Sequence, residues 1–280
     1  MNSFPLPGAP VFHRSENGAL MIEDLGLDEL AQEHGTPLFV YSQAAIESAL
    51  SAWQRGLAGR DALVCYAVKA NSSQAILSLL AQAGCGFDIV SGGELARALA
   101  AGAKPEKIVF SGVGKTRREM QAALEAGIGC FNVESEAELL ALNDVAAACG
   151  LTAPVSIRVN PDVDARTHPY ISTGLRDNKF GIAHDHALAA CQLAASLPGL
   201  RVAGIGCHIG SQITEAAPYL DALERVLDLL EAIEAAGVPL GQIDLGGGLG
   251  IAYADETPPA ADALCQLLLA RLDARGHGQR

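Results

Sequence analysis

Lys69 closes an apolar run, Leu63-Val64-Cys65-Tyr66-Ala67-Val68, and that run reads as a buried strand. Side chains alternate along a strand, so Lys69 shares a face with Ala67 and Cys65, while Val64, Tyr66 and Val68 point the other way. A lysine among small residues at a strand's C-terminal end can lose solvation and have its pKa lowered, which makes its amine a candidate for Schiff-base chemistry. A lysine that snorkels out to solvent fits the same stretch equally well. Both readings stand at this point.

Other chemistry-bearing residues recur at the ends of further β-like runs. Asp88 lies in Phe87-Asp88-Ile89-Val90-Ser91-Gly92-Gly93-Glu94-Leu95, Arg158 in Ser156-Ile157-Arg158-Val159-Asn160-Pro161, and His208 in Gly206-Cys207-His208-Ile209-Gly210-Ser211. Asp244-Leu245-Gly246-Gly247-Gly248-Leu249-Gly250 follows. Glycines on either side of His208 let a flat ligand approach the backbone, and bare N–H groups in a glycine run can cradle an anion. The run is not G-x-G-x-x-G, and Asp244 precedes it, which argues against a dinucleotide site. An unpaired guanidinium at Arg158 would be costly on an inward face. Asp88 also reads as a strand-end or helix-capping carboxylate, and Glu94 as a first-turn residue. Cys207 beside His208 suggests a dyad, but strand neighbours face opposite ways, so the cysteine reads as a small buried thiol. The triplet His184-Asp185-His186 reads as a capped helix start rather than a metal site.

The elements that must position these residues alternate. Strands are expected near 63–70, 86–91, 107–112, 130–134, 154–160, 202–209 and 242–247, with helices at 73–83, 94–101, 117–126, 136–149, 186–197, 217–236 and 260–274. Such alternation means parallel βα units. Ser156, Arg158 and Asn160 share one strand face opposite Val155, Ile157 and Val159; His208 shares a face with Gly206 and Gly204. Polar or small residues on one side and apolar ones on the other fit a (β/α)8 barrel with its site at the C-terminal rim.

Together these motifs resemble the fold-type III pyridoxal-phosphate decarboxylases of the alanine racemase and ornithine decarboxylase superfamily, from about His13 to Ala254. The segment from Arg158 to Ile182, RVNPDVDARTHPYISTGLRDNKFGI, resembles the signature of the diaminopimelate decarboxylases. The resemblance implies pyridoxal 5'-phosphate as cofactor, Lys69 as its amine and catalytic residue, and Asp88 on the cofactor side. It implies Arg158 near the cofactor ring, His208 stacked on it, and Ser211 with Gly246, Gly247 and Gly248 on the phosphate, helped by a following helix or nest. Loop 161–180, with His168, Tyr170, Ser172 and Lys179, would face an amino-acid substrate. The expected reaction is decarboxylation of meso-2,6-diaminopimelate to L-lysine; the alternatives are a decarboxylase of ornithine, arginine or lysine, and a non-catalytic cofactor-homeostasis protein.

Seven strands are countable, and the eighth should follow the helix at 260–274. The expectation is a barrel over 41–280 that stops before its last strand and before the family's C-terminal β-domain, with residues 1–40 packing on that domain in full-length relatives. Little or no turnover is expected of such a chain, because relatives draw a ring-nitrogen acid, a cysteine and a tyrosine from the missing part. A homodimer is expected for the full-length form.

Composition sets outer bounds. Hydrophobic residues make up 50% and charged ones 18%, with a net charge of −13, which suits a soluble α/β protein and opposes nucleic-acid binding. No basic n-region, membrane-length apolar run or C-x-x-C pair is present, and seven scattered cysteines suggest reduced thiols in a cytoplasmic protein.

Overall fold

The computed structural model describes residues 11–163, 180–253 and 255–279. His168, Tyr170, Ser172 and Lys179 lie outside the described residues. The chain opens with a small antiparallel sheet, β1 (Phe12–Arg14), β2 (Leu20–Ile22) and β3 (Leu25–Gly26), followed by α1 (Leu27–His34) and α2 (Gln43–Gly56). None of these elements is among those expected from the sequence; strands of two or three residues carry too little periodicity to register.

The βα units then run β4 (Cys65–Ala67), α3 (Gln74–Gln82), β5 (Gly86–Ile89), α4 (Gly92–Ala100), β6 (Ile108–Phe110), α5 (Arg117–Ala126), β7 (Cys130–Val133) and α6 (Glu136–Cys149). They continue as β8 (Ala153–Asn160), a short β9 (Ile182–Ala183), α7 (Ala187–Ser196), β10 (Leu200–Gly206), α8 (Ala217–Ala235), β11 (Gln242–Asp244) and α9 (Ala261–Ala274). Their starts are chemically marked. Ser91, Thr116 and Ser135 each accept the N–H of a glutamate three residues on, at Glu94, Glu119 and Glu138, the capping arrangement that fixes where a helix leaves its loop. α7 is entered through one 3-10 turn, His184–His186, with Asp185 in it, so the expected helix start is present, though without a side-chain cap.

All seven principal strands pair in parallel in the order β11-β10-β8-β7-β6-β5-β4, and β9 pairs off this path with the end of β8. The sheet curves as part of a barrel. Phe87, Ile89, Phe110, Phe131, Val155, Ile157 and Ile205 are fully buried on its outer face, beneath the helical layer, and each such side chain contributes about 1.5–3 kcal/mol. Asp88, Asn132, Ser156, Arg158, Gly204 and Gly206 lie on the inner face, in the parity expected for β8 and for the end of β10. β10 reaches that parity through a bulge: Val202 pairs with Val155 but Gly204 with Ser156, leaving Ala203 extra. A Cβ on Gly204 would stand 2.2 Å from the Gln242 carbonyl, so β11 approaches too closely for any other residue.

The helical layer meets where the strand layer does not. α9 packs on α2 so tightly that a Cβ on Gly56 would lie 2.7 Å from the Asp262 Cα, and Arg60 pairs with Asp273 at 2.5 Å. Among the described residues no strand pairs with the outer edge of β4 or of β11. The result is a half-barrel of seven parallel strands.

Candidate active site

The inner face gathers its polar residues at the C-terminal ends of the strands, where the strand-to-helix loops begin. Lys69 is not on β4. That strand ends at Ala67, and Val68–Ala70 turn as a 3-10 helix. The Lys69 side chain is 59% exposed, so of the two readings left open the solvent-reaching lysine is the one the structure has. β4 is an edge strand among the described residues, pairing only with β5, and Leu63 is exposed as well.

From this turn the Lys69 Nζ lies 3.5 Å from Asp88 Oδ2. Asp88 caps no helix, since Ser91 does that for α4. Its other oxygen, Oδ1, is buried without a hydrogen-bond partner. Burial pushes the Asp88 carboxyl above the usual carboxylate range, against the opposing pull of Ser111 and Lys69. Deeper in the sheet, the Asn132 amide donates to Ser111 Oγ at 3.0 Å and to Asp244 Oδ2 at 3.1 Å. The Ser156 hydroxyl is a second buried polar group without a partner. Two unsatisfied buried polar groups on one face of one sheet mark a place where polar ligand atoms would be welcome.

His208 follows the end of β10, whose Gly206 sits between Arg158 on β8 and Asp244 on β11. Its Nδ1 accepts the Gly247 N–H at 3.3 Å, which leaves the ring proton on Nε2. Burial, with the charges of Arg158 and Lys69, lowers its pKa to about 4. The imidazole is therefore uncharged at neutral pH. Cys207 faces the other way, and burial pushes its thiol up to about 12, so no dyad forms.

The glycine run packs against the same loop. Cβ atoms on Gly246 and Gly248 would stand 2.5 Å from the Cys207 carbonyl and 1.9 Å from the Gly210 carbonyl, whereas one on Gly247 would meet nothing within 4 Å. Two of the expected bare N–H groups are engaged: Gly246 donates to Asp244 Oδ1 at 2.8 Å, and Gly247 to His208. Nor does a helix follow directly. Leu249 bridges to Ile213, and α9 starts only at Ala261. Ser211 is exposed beside Gly248.

Arg158 is paired. Its Nη1 donates to Glu134 Oε1 at 3.0 Å, and its guanidinium lies 5.1 Å from the centroid of the Phe180 ring. Glu134 was not legible as a site residue, although a carboxylate directly after the buried strand Cys130–Val133 was a signal. Glu94 is structural, accepting the Val90 N–H at 2.7 Å.

Residues 43–279 match the family described as pyridoxal-dependent decarboxylase, pyridoxal binding domain. The chain is 54% identical over 262 residues to the diaminopimelate decarboxylase of Vibrio cholerae, which covers 94% of this chain and 63% of that protein. It is 42% identical to the diaminopimelate decarboxylase of Helicobacter pylori solved with L-lysine, at a TM-score of 0.85 over 88% of this chain and 62% of that one. The M. jannaschii diaminopimelate decarboxylase solved with L-lysine superposes with a TM-score of 0.89 at 36% identity, over 96% of this chain and 64% of that one. The chain thus spans a little under two thirds of the length of these relatives. With a match over that many residues and this fold, the chain belongs to the pyridoxal-binding domain family of the pyridoxal-dependent decarboxylases.

Proposed function

We propose that this chain carries the cofactor-binding part of a decarboxylase that converts meso-2,6-diaminopimelate to L-lysine and carbon dioxide. One observation carries the chemistry. The Lys69 amine stands 3.5 Å from a buried carboxylate whose second oxygen is unpartnered, on the same rim as an uncharged imidazole. The substrate rests on similarity to diaminopimelate decarboxylases, two of them solved with L-lysine.

The residues present fit pyridoxal 5'-phosphate. An exposed amine is free to react, Asp88 has an unsatisfied oxygen, and the space beside Gly247 is open to a ligand. Lys69 would hold the group covalently, His208 would stand against its ring, and Ser211 with the Gly246–Gly248 backbone would hold its phosphate, the Gly246 and Gly247 N–H groups exchanging Asp244 and His208 for it. When bound, the group supplies the electron sink for the pair left as the α-carboxylate departs. Asp88, its carboxyl raised by burial, takes or yields a proton beside the Lys69 amine. The neutral His208 brings no positive charge of its own to that face. Arg158 is held by Glu134 and supplies the fixed cation of the site.

Adding pyridoxal phosphate and then each amino acid in turn tests this reading. The expected result is that meso-diaminopimelate releases carbon dioxide, or perturbs the cofactor's absorbance, at lower concentration than ornithine, arginine or lysine does. Equal or better performance by ornithine would overturn the substrate.

The unpaired outer edges of β4 and β11 favour a second reading for the chain by itself: it binds the cofactor without turnover. Loading of Lys69 with no carbon dioxide release would select it. We also read residues 1–40 as a packing surface for a further part of the protein, supported by Phe39, 84% exposed, and by exposed Leu20 and Leu25. A full-length homodimer is part of the same reading, and sedimentation would test it. All seven cysteines are free thiols, which supports the cytoplasm as its compartment; none of the described helices is long and apolar enough to cross a membrane.

A further inference from the structure

Behind the rim lies a buried ionic chain that the proposed chemistry does not use. The Lys115 side chain is 0% exposed, and its Nζ donates to the Gly112 and Asn132 carbonyls, each at 2.7 Å, and to Glu138 Oε1 at 2.6 Å. All three of its protons are thereby used. Glu138 Oε2 accepts the Glu134 backbone N–H at 3.0 Å. The Glu134 side chain is 2% exposed; it accepts the Gly112 N–H at 2.9 Å, the Gly181 N–H at 3.2 Å and Arg158 Nη1 at 3.0 Å. One carboxylate therefore joins the loop after β6, the end of β7, the middle of β8 and the approach to β9. Such a pair is poor evidence for stability, because its desolvation cost rivals its attraction. It is better suited to holding one geometry.

We infer that Glu134 is a positioning residue of the cofactor site, which holds the Arg158 guanidinium on the inner face while the Lys115–Glu138 pair holds Glu134 in turn. Arg158 is the link to the site. It sits in register with Gly206, two residues before His208, and its charge is felt at the imidazole. Without Glu134 the guanidinium keeps Phe180 beside it and pairs with no other carboxylate among the described residues, so its position is no longer fixed from the β7 side. The inference rests on the cofactor-dependent reading above.

The test is a double-mutant cycle on the full chain, read by equilibrium binding of pyridoxal phosphate and by thermal melting. Glu134→Gln keeps the shape and loses the charge, and is expected to weaken cofactor binding about tenfold, as expected for contacting residues in one network. It should also shift the absorption maximum of the fully loaded chain. Arg158→Gln should weaken binding at least as much. The double variant removes both charges, so it should melt above either single variant, yet bind no more weakly than Arg158→Gln alone. Additive losses in the double variant, or an unchanged affinity and absorption maximum in Glu134→Gln, would overturn the inference. If Glu134→Gln does not fold, Glu134→Asp replaces it in the same cycle with the same expectation of non-additivity. A wild-type chain that takes up no pyridoxal phosphate would overturn both this inference and the function on which it rests. Uptake with additive losses would overturn the inference alone.

Discussion

Asp88 stands in the folded chain at a desolvation cost that Ser111 and Lys69 offset only in part. Its Oδ1 is buried without a partner, and the neighbouring Lys69 is too exposed to repay the burial, since exposed pairs contribute little. Asp88→Asn, nearly the same shape without the charge, should therefore stabilise the ligand-free chain at pH 7 by about 1 kcal/mol. A carboxyl raised by burial is destabilising only where the unfolded chain ionises it. The gain should thus shrink as pH falls and vanish below the ordinary aspartate range, near pH 4; melting curves at pH 7 and pH 4 check this. The same substitution should weaken cofactor retention. His208 has the opposite sign of problem. Its pKa is lowered from 6.5 to about 4, so the unfolded chain takes up a proton before the folded one does. Stability should fall as pH drops from 6.5 toward 4, by up to about 3 kcal/mol in all, and an NMR titration should find the His208 midpoint near the lower value. A midpoint near 6.5 would show a solvated imidazole and remove the account of its neutrality.

At the scale of elements, the loop between β11 and α9 owes its path to glycine at two positions but not at the third. Gly248 has φ +96°, and a Cβ there would collide with the Gly210 carbonyl, whereas one on Gly247 would meet open space. Gly248→Ala should cost about 3 kcal/mol or more through strain and collision, and Gly247→Ala less than about 1 kcal/mol. Chemical denaturation distinguishes the two, and Gly247→Ala should still reduce cofactor uptake because it narrows the open side. Much of this level was legible. The parity of Ser156 against Ile157, and of His208 against Cys207, identified the inner face, because alternation on a strand is a rigid consequence of its geometry. The helices at 117–126 and 136–149 matched to the residue, their starts marked by Thr116 and Ser135. The turn that carries Lys69 was not legible: Val68 is as apolar as a strand residue, and nothing in the sequence marks the 3-10 turn over Val68–Ala70. Glu134 escaped because its side-chain partners, Gly112, Arg158 and Gly181, lie 22, 24 and 47 residues away in sequence and meet it only once the strands are paired.

At the scale of the whole molecule, seven parallel strands bring the candidate site residues among the described ones to the C-terminal side of one sheet. Among the described residues the outer edges of β4 and β11 have no strand beside them, and the chain spans 63% of its Vibrio cholerae relative. Unpaired edge groups invite water and non-native pairing, so turnover of meso-diaminopimelate by these 280 residues should fall far below that of a full-length relative assayed beside it; comparable rates would show that the half-barrel is catalytically sufficient. Binding is the more direct question, because it asks only whether the rim is assembled. The chain should be incubated with pyridoxal phosphate, reduced with borohydride, digested and mapped by mass spectrometry. The account predicts the cofactor's mass on the peptide containing Lys69, and its loss, together with the visible absorbance, in Lys69→Ala. Labelling of Lys107, Lys115 or another lysine with Lys69 unmodified would contradict it.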